Sequence, residues 1–290
     1  MLQQAVREAY RRERIPALAL WALAADGMHA WFAMLRKGLE PALGSRARAE
    51  EVVAEAAAIA FARRWEVLRD KHPSLPTDEG APARILGALA MTARDPKRRA
   101  WPFAAVPGRA PMRRREHLAA EWELRGVSVV DRWHEVTTHL GEILIALTTS
   151  LPRAVPVNAN AVLGQLCFEG GRATAARAKK MFALPDGPES AIEVLRMSEY
   201  VFRVNPHHWH EADAAERTGM IEGTACPWFT APGWSMMHCG IFGQFQSGIS
   251  SVFGLRYQLT KTIPKHGGTT CRIDLRPLTK KDGSVAGAQA

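Results

Sequence analysis

The spacing of apolar residues along the first two thirds of the chain is typical of α-helices. Between residues 50 and 69, apolar side chains recur every three or four positions, which places them on one helix face. The same pattern predicts further helices over residues 83–93, 117–124, 132–147, 174–181 and 189–197. Residues 15–35 form a longer apolar stretch that Asp26 and His29 interrupt, and they predict a buried pair of helices.

Near residue 200 the pattern changes to an alternation of apolar and polar positions. Alternation is typical of a strand with one buried face, and it predicts strands at 200–204, 255–260 and 271–275. The glycine-containing turn at 265–268 joins the last two strands into a hairpin, with Cys271 on its apolar face.

One more helix is predicted between these strands. It would begin within residues 235–240 and end at Gly254. Its apolar positions follow steps of four, four and three, at Ile241, Phe245, Ile249 and Val252.

These elements together predict an α+β fold. We expect a helical region over residues 1–150 and an α+β region of antiparallel strands and helices over 151–279, which carries the cysteines. Residues 280–290 are small and polar and predict a frayed tail. We expect the two regions to form one compact unit.

Composition indicates a soluble globular protein. The chain has 290 residues, of which 47% are hydrophobic and 23% charged, which argues against a disordered chain. Four cysteines in this length are too few for a disulfide framework. Glu8 and Glu13 interrupt the basic segment before the first apolar stretch, which disfavours a signal peptide. We therefore expect a cytoplasmic protein with reduced thiols and no membrane partner.

The formal net charge of +9 raises the question of an anionic partner. Residues 97–115 hold seven Lys and Arg and no acidic residue. No recognisable nucleic-acid-binding module accompanies them, so we interpret them as a solvated basic loop and expect no nucleic-acid partner. The expected partner is a small-molecule substrate, and the sequence leaves open whether the protein forms a homo-oligomer.

Three of the four cysteines, Cys226, Cys239 and Cys271, fall within the last 65 residues. Cys239 would lie in or just before the first turn of the predicted helix, where free N–H groups and the helix dipole favour a thiolate. His238 is adjacent and could serve as a base. Cys239 is therefore a candidate nucleophile. The alternative is that it packs in the core as a small hydrophobic residue.

A metal site is the competing chemistry. If a strand runs to His210, then His208 and His210 share one face, and with Glu211 nearby they could bind zinc or manganese. The cysteines form no C-x2-C pair, so the usual zinc signature is absent. We predict no cofactor and leave a divalent metal open. Trp228, Trp234 and Tyr257 are either packing residues or the walls of an apolar ligand pocket.

The block from Cys226-Pro227-Trp228 through Cys239 to the Gly267-Gly268 turn and Cys271-Arg272-Ile273 resembles the C-terminal part of the L-2-amino-thiazoline-4-carboxylic acid hydrolase family. The resemblance implies an α+β hydrolase that opens a C–N bond in a cyclic amidine, thiazoline or related heterocycle, with these three cysteines as functional thiols. Members of that family often carry an acidic residue soon after the second cysteine, and this chain has none before Arg256.

The sequence thus favours a cysteine-dependent hydrolase. Cys239 would be the nucleophile, His238 or His210 the base, and Cys226 and Cys271 would shape the site. Two other functions stay open: a small-molecule binding or sensor domain without turnover, and a Cys/His metalloprotein.

Overall fold

A computed structural model describes residues 2–90 and 124–279. These residues divide into two compact units, a helical unit of residues 15–90, 124–162 and 231–233, and a sheet-bearing unit of residues 2–14, 163–230 and 234–279. The basic stretch 97–115, nearly all of the predicted helix 117–124 and the tail 280–290 lie outside the described residues.

The described elements have the following bounds. The helices are α1 (Leu2–Arg11), α2 (Ala17–Leu43), α3 (Arg46–Lys71), α4 (Ala81–Ala90), α5 (Val129–Ala154), α6 (Ala159–Phe182), α7 (Pro188–Phe202), α8 (Met236–Val252) and the short α9 (Ile263–His266), with a 3₁₀ turn at Leu124–Gly126. The strands are β1 (His208–Asp213), β2 (Thr218–Thr224), β3 (Leu255–Lys261) and β4 (Thr270–Pro277).

The helical unit packs α3 against both α2 and α5. The face of α3 that makes this contact is rich in alanine, with Ala49, Ala56 and Ala60 fully buried, and such small side chains let neighbouring helices approach closely. The Ser45 hydroxyl caps the start of α3 by accepting a hydrogen bond from the Arg48 amide at 3.2 Å.

From Ala17 onward the apolar stretch 15–35 forms one continuous helix, α2, and not the predicted pair of helices. The buried stripe Trp21, Ala25, Met28, Phe32 keeps helical spacing past Asp26, so the polar residue sits within the helix without ending it. By length and composition α2 could cross a membrane, and 39% of its most apolar window is buried inside the structure. The core helix of a soluble protein and a signal sequence meet the same criterion.

The sheet-bearing unit is built around four antiparallel strands in the order β1-β2-β4-β3. One row across the sheet pairs His210, Ile221, Ile273 and Leu259, and paired residues in antiparallel strands point to the same face. That face packs on α7 and α8, where it forms a buried apolar core. The opposite face carries charged and polar residues together with the exposed Trp209.

The strand predicted at 200–204 is wrong, because residues up to Phe202 continue α7. Ala191, Leu195 and Val201 are buried along one side of this helix, so a helical stripe outweighs the short alternation. Arg203, with a positive φ of 62°, ends the helix.

Helices α6 and α8 approach each other at two glycines. A Cβ atom at Gly171 would lie 2.0 Å from the Phe245 carbonyl oxygen, and one at Gly248 would lie 2.1 Å from the Phe168 carbonyl oxygen. The two helices therefore touch backbone to backbone, which fixes α8, the helix that carries Cys239.

The described residues confirm the predicted α+β class. The predicted helices at 50–69, 132–147 and 189–197 lie within α3, α5 and α7, and the strands at 255–260 and 271–275 are β3 and β4. Their connection contains the short helix α9 as well as the predicted glycine turn.

Candidate functional site

The three C-terminal cysteines come from three separate parts of the sheet-bearing unit. Cys226 follows β2, Cys239 is the fourth residue of α8, and Cys271 is near the start of β4. The charge of Cys239 and that of Cys271 each raise the pKa of Cys226, and Cys271 raises the pKa of Cys239. The three thiols therefore lie within electrostatic range of one another, and we call them the thiol cluster.

The start of α8 is fixed by a reciprocal cap. The Ser235 backbone N–H donates to Nδ1 of His238 at 3.0 Å, so the lone pair of this ring nitrogen is occupied by a hydrogen bond and is not free to take a proton from a thiol. The amide of Cys239 donates to the Ser235 carbonyl oxygen at 3.2 Å. Cys239 thus stands at the end of the first turn, one position beyond the residues whose amides lack an intrahelical partner.

Each sulfur in the thiol cluster accepts a hydrogen bond from an N–H group. The indole Nε1 of Trp234 donates to Sγ of Cys239 at 3.3 Å, and the amide of Ile263 donates to Sγ of Cys271 at 3.4 Å. The backbone of Trp228 and that of Phe229 do the same for Cys226. These donors stabilise negative charge on sulfur.

Burial opposes that stabilisation and is the larger effect. It raises the pKa of all three thiols, that of Cys226 to about 12. The backbone at the start of α8 lowers the pKa of Cys239, as the sequence led us to expect, but burial outweighs it and the net shift is upward. Removal of the sulfur from water penalises the thiolate more than the indole N–H of Trp234 favours it.

Two tryptophans stand beside the cluster with different exposure. Trp228 is only 1% exposed and meets Phe242 edge to face, with 4.9 Å between the ring centroids, so it is a core residue. Trp234 is half-buried, stacks on the His238 ring at 5.2 Å and contacts Cys239 directly. Of the two tryptophans, Trp234 is therefore the one placed to contact a bound molecule beside Cys239.

A buried polar chain that the sequence did not reveal ends at Tyr257, beside the thiol cluster. The Tyr257 hydroxyl donates to Oε1 of Gln246 at 2.7 Å, and Nε2 of Gln246 donates to Oε1 of Glu199 at 3.0 Å. Glu199 also accepts from Asn205 at 3.0 Å and from Arg196. The charges of Cys239 and Cys271 both raise the pKa of Tyr257, which places its hydroxyl near those sulfurs.

The direction of each hydrogen bond in this chain follows from Glu199. Every group bonded to its carboxylate is a donor, so the Gln246 amide must turn its NH₂ towards Glu199 and its oxygen towards Tyr257. Tyr257 must then donate, and its remaining lone pair is available as an acceptor. The available signal in the sequence was Gln246 itself, a polar residue on the otherwise apolar face of α8.

His208 and His210 share one face of β1, as predicted, and their rings stack with centroids 5.5 Å apart. They are not brought to the thiol cluster. His208 pairs with Gly223, which pairs with Cys271, so two strand spacings, about 9–10 Å, separate the backbones of His208 and Cys271. The Asn205 side chain occupies the space that a Cβ on Gly223 would take.

Glu211 does not join the two histidines, because alternation along β1 turns it to the opposite face of the sheet. Within residues 2–90 and 124–279, no group of three or more His, Cys, Asp or Glu side chains is arranged to hold a metal ion.

We compared the chain with family models, curated proteins and solved structures, and none of them matches it.

Proposed function

We propose that the protein is a cysteine-dependent hydrolase that opens a C–N bond in a small cyclic amidine, thiazoline or related heterocycle. The observation that supports this most is the thiol cluster, in which three thiols lie within electrostatic range of one another and each accepts an N–H hydrogen bond. Because these donors stabilise a sulfur anion as it forms, they suit a nucleophile during attack.

Cys239 is the nucleophile in this proposal. Its Sγ bonds to the carbon between the two heteroatoms of the ring, and the thiol proton passes to a ring nitrogen. The C–N bond then breaks, and water releases the product from sulfur and restores the thiol. Because burial raises the pKa of Cys239, the thiol needs a proton acceptor, and an unprotonated ring nitrogen of the substrate supplies one.

The other residues around Cys239 have supporting roles. Trp234 holds the sulfur through its indole N–H and presents an aromatic face to the ring of the substrate. His238 is a positioning residue, since its Nδ1 closes the cap that sets the first turn of α8. Tyr257 offers an acceptor for a substrate N–H, because its own proton is committed to Gln246.

The test is turnover of a panel of 2-aminothiazolines and cyclic amidines, with ring-opened product measured by mass spectrometry. We expect Cys239→Ser to abolish turnover, while Cys167→Ala, which changes the buried cysteine of α6 that has no role in the proposal, retains it. Normal turnover by Cys239→Ser would disprove the assignment of the nucleophile.

A binding domain without turnover is the second candidate, and the raised pKa of all three thiols favours it. A thiol that stays protonated can line a ligand pocket without reacting. Saturable binding of a panel compound, with no product after prolonged incubation and no mass added to Cys239, would establish this function instead.

A further inference from the structure

Strand β1 forms one edge of the sheet, and on its outer side it has no neighbouring strand among the described residues. Five of its six residues are exposed, and Trp209 is 48% exposed. Its pairing with β2 runs over the whole strand without a bulge. Unpaired backbone N–H and C=O groups along such an edge are a template for another strand.

The backbone groups of β1 alternate between β2 and the open edge. The Thr224 amide donates to the His207 carbonyl oxygen at 2.8 Å, which makes these two residues a hydrogen-bonded pair. Such pairs recur at every second residue, so Trp209, Glu211 and Asp213 also bond to β2. The residues between them turn their N–H and C=O groups to the open edge, and they are His208, His210 and Ala212.

The opposite edge of the sheet, β3, is protected in ways that β1 is not. It has a bulge between Leu259 and Lys261, and Arg256 and Lys261 are basic side chains on this strand. Bulges and lysines on an edge strand discourage association with other chains. β1 has no bulge and contains no lysine, arginine or proline. This contrast singles out the edge of β1 as a surface for pairing.

We propose that the open edge of β1 pairs antiparallel with β1 of a second copy of this chain, across a two-fold axis at His210. His210 then faces His210 of the partner subunit, and His208 faces Ala212 of the partner subunit. All three outward-facing residues exchange hydrogen bonds with the second copy, and the two four-stranded sheets join into one. Burial and the Arg196 charge lower the pKa of His210, so the two facing imidazoles are neutral at pH 7.

The side chains of β1 complement a second copy of themselves in this register. Glu211 lies opposite Trp209 of the partner subunit, and Asp213 lies opposite His207 of the partner subunit, so no acid faces an acid. The two Trp209 side chains become diagonal neighbours on the outer face, within reach of an aromatic contact. The pairing therefore covers the exposed indole. It is independent of whether the thiol cluster catalyses a reaction.

Other two-fold axes fit this strand less well. An axis at Glu211 or at Ala212 would bring carboxylates of the two copies directly opposite each other, which is destabilising. An axis at Trp209 or at His208 would place an outward-facing residue opposite Pro206, which has no N–H to donate. The axis at His210 avoids both faults.

Sedimentation velocity of the purified protein, from about 1 to about 500 µM, measures the association. One pair of short strands is a small interface, so we expect a monomer–dimer equilibrium with a Kd of about 10–100 µM. His210→Pro removes the outward N–H of both copies and spares the bonds to β2, so it should weaken association at least tenfold. His210→Ala keeps this N–H and is the matched control, which should associate like the parent protein.

Amide exchange followed by NMR on ¹⁵N-labelled protein locates the interface. The amides of His208, His210 and Ala212 should exchange more slowly as the concentration rises, because they are hydrogen-bonded only in the dimer. The Glu211 amide is bonded to β2 in both states and should change less.

Three results would overturn the proposal. The first is a protein that stays monomeric at about 500 µM. The second is equal association of His210→Pro and His210→Ala, after circular dichroism has shown that both variants fold. The third is a dimer in which the three outward amides exchange as fast as in the monomer, because the two copies would then meet at another surface.

Discussion

The hydroxyl of Tyr257 donates a 2.7 Å hydrogen bond to Oε1 of Gln246, so its proton is committed to Gln246 and not to the sulfurs of the thiol cluster. Burial and the charge of Glu199 raise the pKa of Tyr257 well above its ordinary range, so the hydroxyl keeps that proton. Tyr257 is therefore a fixed acceptor towards anything bound among the sulfurs.

Tyr257→Phe removes the donor and leaves Oε1 of Gln246 without its partner in the interior. We expect the free energy of unfolding to fall by about 1–3 kcal/mol, measured by urea denaturation. Tyr200→Phe is the matched control, because its hydroxyl donates to the Glu13 carbonyl oxygen at an exposed position and its loss should cost less than about 1 kcal/mol. Equal losses in the two variants would contradict a buried hydrogen bond from the Tyr257 hydroxyl to Gln246.

The thiol cluster should react more slowly with iodoacetamide than an exposed cysteine does at pH 7, because burial raises each pKa. Cys226, with a pKa of about 12, should be the slowest. Trp234→Phe removes the N–H that stabilises the Cys239 thiolate and should slow alkylation of Cys239 further. The rates are read residue by residue by mass spectrometry across pH.

Trp209→Phe serves as the control for that experiment, since Trp209 is 48% exposed on the outer face of the sheet. Its alkylation rates should equal those of the parent protein. Fast reaction of Cys239 near pH 7 in the parent protein would show that the thiolate forms despite burial.

Gly248→Ala should be among the most damaging single-methyl changes in the chain. The added Cβ would lie 2.1 Å from a backbone carbonyl oxygen of α6, so one of the two helices must move. We expect a loss of about 3 kcal/mol or more in the free energy of unfolding. Gly240→Ala, on the same helix with no atom within 4 Å of the new Cβ, should instead stabilise the protein by up to about 1 kcal/mol.

The free energy of unfolding should depend on pH, and the buried His139 should account for much of that dependence. This residue is buried on α5 with its ring 4.9 Å from that of Phe61, and burial together with Arg64 lowers its pKa to about 3. In the unfolded chain its pKa is about 6.5, so between these values the unfolded state binds more protons. The free energy of unfolding should therefore fall as the pH falls through this window, by up to about 1.4 kcal/mol per pH unit.

His139→Gln removes that titration and should flatten the dependence, as measured by urea denaturation from neutral to mildly acidic pH. Some slope remains, because the lowered pKa of His208 acts in the same direction. His207→Gln is the control, since His207 is exposed, and should leave the slope unchanged. A parent protein whose stability is flat over this range would contradict a neutral buried His139.

Sequence patterns predicted the elements with long, consistent periodicity. The stripe through Ile241 and Ile249 gave α8, and the alternation around Ile273 gave β4. The strand predicted at 200–204 was wrong because the alternation was only five residues long and overlapped the end of the helical stripe of α7. Short windows do not contain enough positions to separate a period of 2 from one of 3.6.

The site was predicted in part. The spacing of Cys226, Cys239 and Cys271 drew attention to the thiols, but periodicity carries no information on burial depth. The raised pKa of Cys239 was therefore missed. The chain from Tyr257 to Glu199 joins residues almost sixty positions apart, and its partners are set by how α7 packs against α8. Only the folded arrangement reveals it.

The strand order β1-β2-β4-β3 has a consequence for protein synthesis. β4 lies between β2 and β3, yet it is the last of the four to leave the ribosome. Until residue 277 has emerged, β2 and β3 each present an unpaired edge, and exposed edges invite association with other chains. A premature stop codon between positions 262 and 270 would therefore produce a fragment that keeps β3, Cys226 and Cys239, lacks Cys271 and is prone to aggregate.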